Sequence, residues 1–204
     1  MGSPILPGSA SNKGVSRLIR SFLAIELPAT VQAKIGKVVE DARATSADVR
    51  WVSPGKIHLT LKFFGNIEES KIDSIAATIQ GPAGEAKAFP LSVRGTGAFP
   101  NLKNPRVIWI GLVDSEGRLA ALQKEVESSL EKIGFEPEDR PFRPHLTLGR
   151  VKSNRGRQEL IGCVEKYREE ELGTFQVEKM VLFKSDLTPT GPIYTPLREI
   201  KLSA

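Results

Sequence analysis

The chain holds two histidines, and both open the same tetrapeptide: His58-Leu59-Thr60-Leu61 and His145-Leu146-Thr147-Leu148. Alternate side chains of a strand share a face, so each His and its Thr point one way and the leucines point the other. Two imidazoles meeting across a cleft can move protons in concert, because an unperturbed ring titrates near a pH of about 6.5. A neutral ring takes a proton from an attacking water, and a protonated ring gives one to a leaving alkoxide. The threonine hydroxyls can donate to phosphate oxygens and so hold negative charge as it develops. A lone His-x-Thr is most simply an ordinary half-buried strand histidine. Two identical copies, with no other histidine in the chain, point instead to a catalytic pair. Catalytic zinc commonly takes three protein ligands. No third histidine exists and Cys163 sits elsewhere, so no metal and no cofactor are expected. A phosphate loop of the form G-x-x-x-x-G-K-[ST] is absent; 81–87 resembles one only loosely.

The elements that must position these residues recur in order. A strand over 21–27 ends at Pro28. A helix follows, with Val31, Ile35, Val38, Val39 and Ala42 on one face. Pro54-Gly55 marks a turn before a strand over 57–64, which ends at Gly65. A helix carrying Ile72, Ile75, Ala76 and Ile79 should stop at Gly81-Pro82, and 89–99 reads as a third strand. The order then repeats with a strand over 106–113 and a helix presenting Leu119, Leu122, Val126, Leu130 and Ile133, capped by Asp114 or Ser115. After a Pro-rich loop come a strand over 145–151, a polar helix near 153–170, a strand over 175–183 and a last strand over 193–202. Strand–helix–strand–helix–strand thus occurs twice, and the second strand of each unit opens with His-Leu-Thr-Leu. Such a pattern reads as an internal duplication making two lobes.

Composition agrees with an ordinary globular protein. The 204 residues are 40% hydrophobic and 26% charged, with a net charge of +5 that suits an anionic partner. The single cysteine, Cys163, permits no intrachain disulfide and fits a reducing compartment. It reads as a small core residue, not a nucleophile. The longest strongly apolar run, 107–113, is far too short to span a bilayer. Residues 1–17 lack the apolar core of a signal peptide and read as a flexible tail. A cytoplasmic protein with no membrane partner is expected. Residues 18–204 should form one bilobal domain, with lobe one about 18–100 and lobe two about 101–204. The sequence does not set the oligomeric state, and a monomer is the expectation.

These motifs resemble the two-histidine (2H) phosphoesterase superfamily with its HXTX motif. Within it, the chain is similar to the RNA 2′,3′-cyclic phosphodiesterases, historically called 2′-5′ RNA ligases. The resemblance rests on Arg20-Ser-Phe-Leu-Ala-Ile-Glu-Leu-Pro28, Arg50-Trp-Val52, Lys62-Phe-Phe-Gly65, Gly97-Ala-Phe-Pro100, Pro105-Arg-Val-Ile-Trp109, Arg140-Pro-Phe-Arg-Pro-His-Leu-Thr-Leu148 and Gly191-Pro-Ile-Tyr194. It implies an α+β fold of duplicated β-α-β-α-β units, with two mostly antiparallel sheets flanking a central active-site groove (the LigT-like fold). It also implies metal-free opening of 2′,3′-cyclic phosphate RNA ends to 2′-phosphates. His58 is then the proton donor to the leaving 3′-oxygen and His145 the proton acceptor from water, an order that the residues alone do not fix. The reverse reaction, with a 5′-hydroxyl in place of water, would be an ATP-independent RNA ligation, and no Lys-x-Asp-Gly nucleotidyl-lysine motif is present. Two other readings stay open: a 2H phosphodiesterase acting on small cyclic nucleotides, and a non-catalytic module that binds RNA ends.

Five further residues are candidates for substrate binding. Arg143 lies two positions before His145 and Lys62 two after Thr60, so strand alternation would put both on the catalytic face. The alternative for Arg143 is a surface arginine in a Pro-rich loop. Phe64, Phe142 and Tyr194 could stack a base, although core packing is the commoner role for a phenylalanine.

Overall fold

The computed structural model describes residues 17–189 and 191–203. Apart from Arg17, the tail expected over 1–17 lies outside the described residues. Nine strands and four helices occur in the order β1 (Leu18–Glu26), α1 (Ala29–Arg43), β2 (Val49–Trp51), β3 (His58–Glu68), α2 (Ile72–Glu85), β4 (Phe89–Phe99), β5 (Val107–Val113), α3 (Arg118–Glu131), β6 (His145–Val151), α4 (Arg157–Lys166), β7 (Glu171–Val177), β8 (Lys179–Thr188) and β9 (Gly191–Lys201). Among the described residues, no helix is long and apolar enough to cross a membrane.

Every pairing of these strands is antiparallel, and the order across the sheet is β7-β4-β5-β6-β3-β1-β8-β9, with β2 beside β6. The fold is α+β, as the resemblance implied. The two expected sheets are two halves of one, joined between β3 and β6 by the single pair Leu59↔Leu146. The strand pairing does not follow the division expected near residue 100. β4 precedes that point yet pairs with β5 and β7 in the second half. β8 follows it yet returns to pair with β1, and β9 pairs with β8. The strand expected over 175–183 is two strands broken at Glu178, and they end up in opposite halves. α2 runs through Gly81-Pro82 to Glu85. Ala83, fully buried, holds that last turn in the core, and its carbonyl accepts from Ser203 N–H.

The leucines of both tetrapeptides set the register. Leu59, Leu61, Leu146 and Leu148 are all buried in one core with residues of all four helices, among them Val31, Ile35, Ile75, Ile79, Leu122, Val126 and Leu160. Each such side chain is worth about 1.5–3 kcal/mol on burial. A slip of one residue would send all four leucines to the other face, so the fold is strongly held against it. The opposite face carries a separate small cluster of Phe22, Ala24, Val181 and Phe183, with Tyr194 packed against it.

Each histidine strand is interrupted at the same place. Thr60 pairs with Ala24 but Lys62 pairs with Leu23, leaving Leu61 as an extra residue. Thr147 pairs with Trp109 but Gly149 pairs with Ile108, leaving Leu148 as its counterpart. A bulge of this kind changes which face the following residues take. The seven residues from His58 and the seven from His145 show the same burial pattern, with two consecutive buried positions after the threonine.

Candidate active site

His58, Thr60, His145 and Thr147 line one groove with a volume of about 390 Å³. The paired motifs predict these four together, and the fold places them so. The two rings are held alike. His58 Nδ1 lies 2.9 Å from the carbonyl oxygen of Lys56, and His145 Nδ1 lies 2.7 Å from that of Arg143. A carbonyl can only accept, so each Nδ1 carries the proton. Nε2 is therefore the nitrogen left to exchange protons at each ring. Both carbonyls belong to the residue two positions earlier, which the chain supplies as it enters each strand.

The surroundings of the rings differ. Phe22 stacks on His58 with centroids 4.8 Å apart, and Tyr194 meets the same ring edge-on at 5.2 Å. Phe99 meets His145 edge-on at 5.0 Å. Burial holds the pKa of His58 below its ordinary value against the opposing pull of the Lys56 carbonyl. These surroundings favour the neutral form of His58. Burial raises the pKa of Tyr194, while Arg20 and Arg150 pull it back, so its phenol stays protonated.

The groove is lined by four cations, Arg20, Arg50, Lys56 and Arg150, and among its described lining residues there is no carboxylate. Arg50 and Arg150 are direct cross-strand partners in β2 and β6. Like charges placed opposite each other destabilise a sheet, and no described residue forms an ion pair with either. Such an arrangement is set up for an anion. β2 can approach because position 149 is glycine: a Cβ there would lie 2.7 Å from Val49 Cγ1 and 2.9 Å from Trp51 Cε3. Lys56 Nζ donates to the Pro192 carbonyl at 2.7 Å, tying the loop before β3 to β9. Among the described residues no group of three or more His, Cys, Asp or Glu could hold a metal ion.

The five weaker candidates divide. Tyr194 lines the groove. Arg143 contributes its main-chain carbonyl to His145, while its side chain is exposed and not part of the lining. Lys62 is 4% exposed and turned to the helix side, where Nζ pairs with Glu127 at 2.7 Å and donates to the Glu136 carbonyl. The bulge at Leu61 is the reason: it reverses the alternation that put Lys62 beside Thr60. The same reversal sends Phe64 to the core, edge-on to Phe135 at 5.2 Å, and turns Phe63 into the groove. Phe142 packs against the core away from the groove. Cys163 is partly buried, and its thiol pKa is raised chiefly by burial, which keeps it protonated.

Sequence reasoning missed Arg20, Phe22, Arg50, Phe63 and Arg150 as groove residues. One signal was available. Phe63 follows His58 by the same offset as Arg150 follows His145, so the duplication alone makes them equivalent.

A duplicated α+β fold that presents two His-x-Thr strands to one cationic groove is that of a 2H phosphoesterase. The chain belongs to the 2'-5' RNA ligase superfamily, whose sequence model matches residues 28–189. It is 35% identical over 184 residues to the RNA 2',3'-cyclic phosphodiesterase of Methanothermobacter thermautotrophicus, covering 90% of this chain and 99% of that one. It is 38% identical over 180 residues to the protein of the same name from Archaeoglobus fulgidus, covering 88% and 98%. Among solved structures, TT0787 of Thermus thermophilus superposes with a TM-score of 0.76 at 29% identity, over 90% of this chain and 98% of that one. E. coli LigT complexed with 3'-AMP shares the fold, with a TM-score of 0.71 at 24% identity over 92% and 100%.

Proposed function

We infer that the chain hydrolyses RNA ends bearing a 2′,3′-cyclic phosphate to 2′-phosphates, by proton transfer between water, His145, His58 and the leaving 3′-oxygen. The observation that carries this reading is the matched pair of histidines in one groove with no carboxylate among its described lining residues, each held at Nδ1 by a main-chain carbonyl, which leaves Nε2 for proton exchange. His145 Nε2 takes a proton from water as the water oxygen bonds to phosphorus. The bond from phosphorus to O3′ breaks, and His58 Nε2–H protonates that oxygen. The 2′-ester bond stays intact. Thr60 and Thr147 hydroxyls donate to the non-bridging oxygens, and Arg50 and Arg150 offset the phosphate charge. The donor role needs His58 protonated, although burial favours its neutral form. The incoming phosphodiester supplies a negative charge that favours the imidazolium.

A 5′-hydroxyl in place of water would follow the same steps, its oxygen bonding to phosphorus as the bond to O3′ breaks, and would join RNA ends by a 2′-5′ linkage without ATP. All ionisable groups of the mechanism are side chains, so turnover requires no metal. Both motifs come from one chain, which suits a monomer, and the lone Cys163 suits the reducing cytoplasm. The direct test uses an oligonucleotide ending in a 2′,3′-cyclic phosphate, in EDTA. A 2′-phosphate product supports the reading. A 3′-phosphate product, or turnover that stops in EDTA and returns with a divalent ion, overturns it.

A further inference from the structure

The strands that carry His145 and its neighbours run on beyond the catalytic groove. Arg150, which lines the groove, pairs across the sheet with Val107, and Val107 pairs with Phe99. Val107 and Phe99 in turn line a second cleft of about 820 Å³. The same Phe99 ring meets His145 edge-on, so one side chain joins the wall of the cleft to a catalytic ring. The cleft's other walls include Arg106, Lys152, Asn104 and Asn154, and no carboxylate is among its described lining residues. Neither Arg106 nor Lys152 forms an ion pair with a described residue. Asn104 and Asn154 are bridged by Arg157, whose Nη1 donates to Asn104 Oδ1 at 3.2 Å and to Asn154 Oδ1 at 3.4 Å. A cleft with two uncommitted cations, fixed amides and no opposing charge suits a phosphodiester backbone better than a protein surface.

We propose that this cleft is a second subsite, which holds the backbone of nucleotides on the 5′ side of the cyclic phosphate and makes the enzyme selective for oligonucleotides over mononucleotides. The proposal rests on the reading of the groove as the site of cyclic phosphate opening. An RNA with a cyclic end extends only in the 5′ direction, so any added subsite must hold that part of the chain. Phe99 lines the cleft beside His145, where a base can stack.

The test compares a nucleoside 2′,3′-cyclic phosphate with an oligonucleotide of about ten nucleotides having the same cyclic end, a length within the range of single-strand sites. The wild-type protein should prefer the oligonucleotide in kcat/KM. Arg106→Ala/Lys152→Ala should raise KM for the oligonucleotide by about tenfold or more, the weight of one charge-assisted contact. The mononucleotide constants should stay unchanged. Binding of the 2′-phosphate oligonucleotide product, followed by fluorescence anisotropy, gives a readout that needs no turnover. There the double variant should bind more weakly and with a shallower salt dependence. An unchanged oligonucleotide KM and affinity would overturn the proposal. So would an equal loss on both substrates, which places the effect in the groove or the fold. Wild-type protein that opens neither substrate would count against the reading of the groove, while the anisotropy result would still decide whether the cleft holds RNA.

Discussion

Phe22 lies on His58 with ring centroids 4.8 Å apart and planes 26° apart, and it contributes to the burial that depresses the imidazole's pKa. Among the described residues, His145 has one aromatic neighbour, Phe99, which meets it edge-on. Two copies of one tetrapeptide thus sit in different electrostatic settings, and this bears on how activity depends on pH.

In the free enzyme, the fraction of His58 able to donate falls as pH rises through its lowered pKa. Bound phosphodiester favours the imidazolium, so the alkaline limb of kcat should lie at higher pH than that of kcat/KM. Both limbs belong to the coupled pair. Phe22→Ala removes part of the burial and should move the kcat/KM limb upward. Coincident limbs in the two profiles, or a downward shift in Phe22→Ala, would contradict this account of His58.

Lys62 should matter for stability and little for binding. Its ammonium is buried against Glu127, and Gln123 donates to the same carboxylate at 3.2 Å. Lys62→Met leaves that carboxylate buried and unpaired, which should cost about 3–5 kcal/mol in denaturant unfolding. Lys62→Met/Glu127→Leu should be the more stable of the two variants. A Lys62→Met protein of native stability with a raised KM would restore Lys62 to the groove.

The fate of Lys62 shows what the sequence could and could not tell. Strand alternation is a local rule, and it correctly set His58, Thr60, His145 and Thr147 against their leucines. It failed one residue past each motif because a bulge depends on the pairing partner, β1 in one half and β5 in the other, and no partner is visible in a single strand. The helices were legible from their apolar faces, and the duplication from its repeated tetrapeptide. Which half each strand joins was not legible: β4, β8 and β9 are placed by long-range pairing that neighbouring residues do not encode. The Arg50–Arg150 pair was hidden for the same reason, since β2 is three residues long and owes its place to Gly149.

Salt should weaken RNA binding through the groove arginines. For single strands the logarithm of affinity falls with the logarithm of salt by about 0.7 per neutralised phosphate. Anisotropy titrations of a 2′-phosphate oligonucleotide should show such a slope, and Arg150→Ala should flatten it. A salt response unchanged by that substitution would remove Arg150 from phosphate binding.

The order of the two histidines can be read from leaving-group chemistry. A phosphodiester whose leaving group departs without protonation should rescue loss of the acid and not loss of the base. Rescue is expected for His58→Ala and little for His145→Ala. The opposite pattern would exchange the two roles and leave the groove unchanged.

The central claim is that His58 and His145 act as one acid–base unit, and single-turnover hydrolysis of a cyclic-phosphate oligonucleotide tests it most directly. His58→Ala and His145→Ala should each lower the rate by about 10²–10⁴. His58→Ala/His145→Ala should lower it by less than the product of the two single losses, because residues that act as a unit are not additive. Near-wild-type rates in both single variants, with the proteins folded, would contradict the claim.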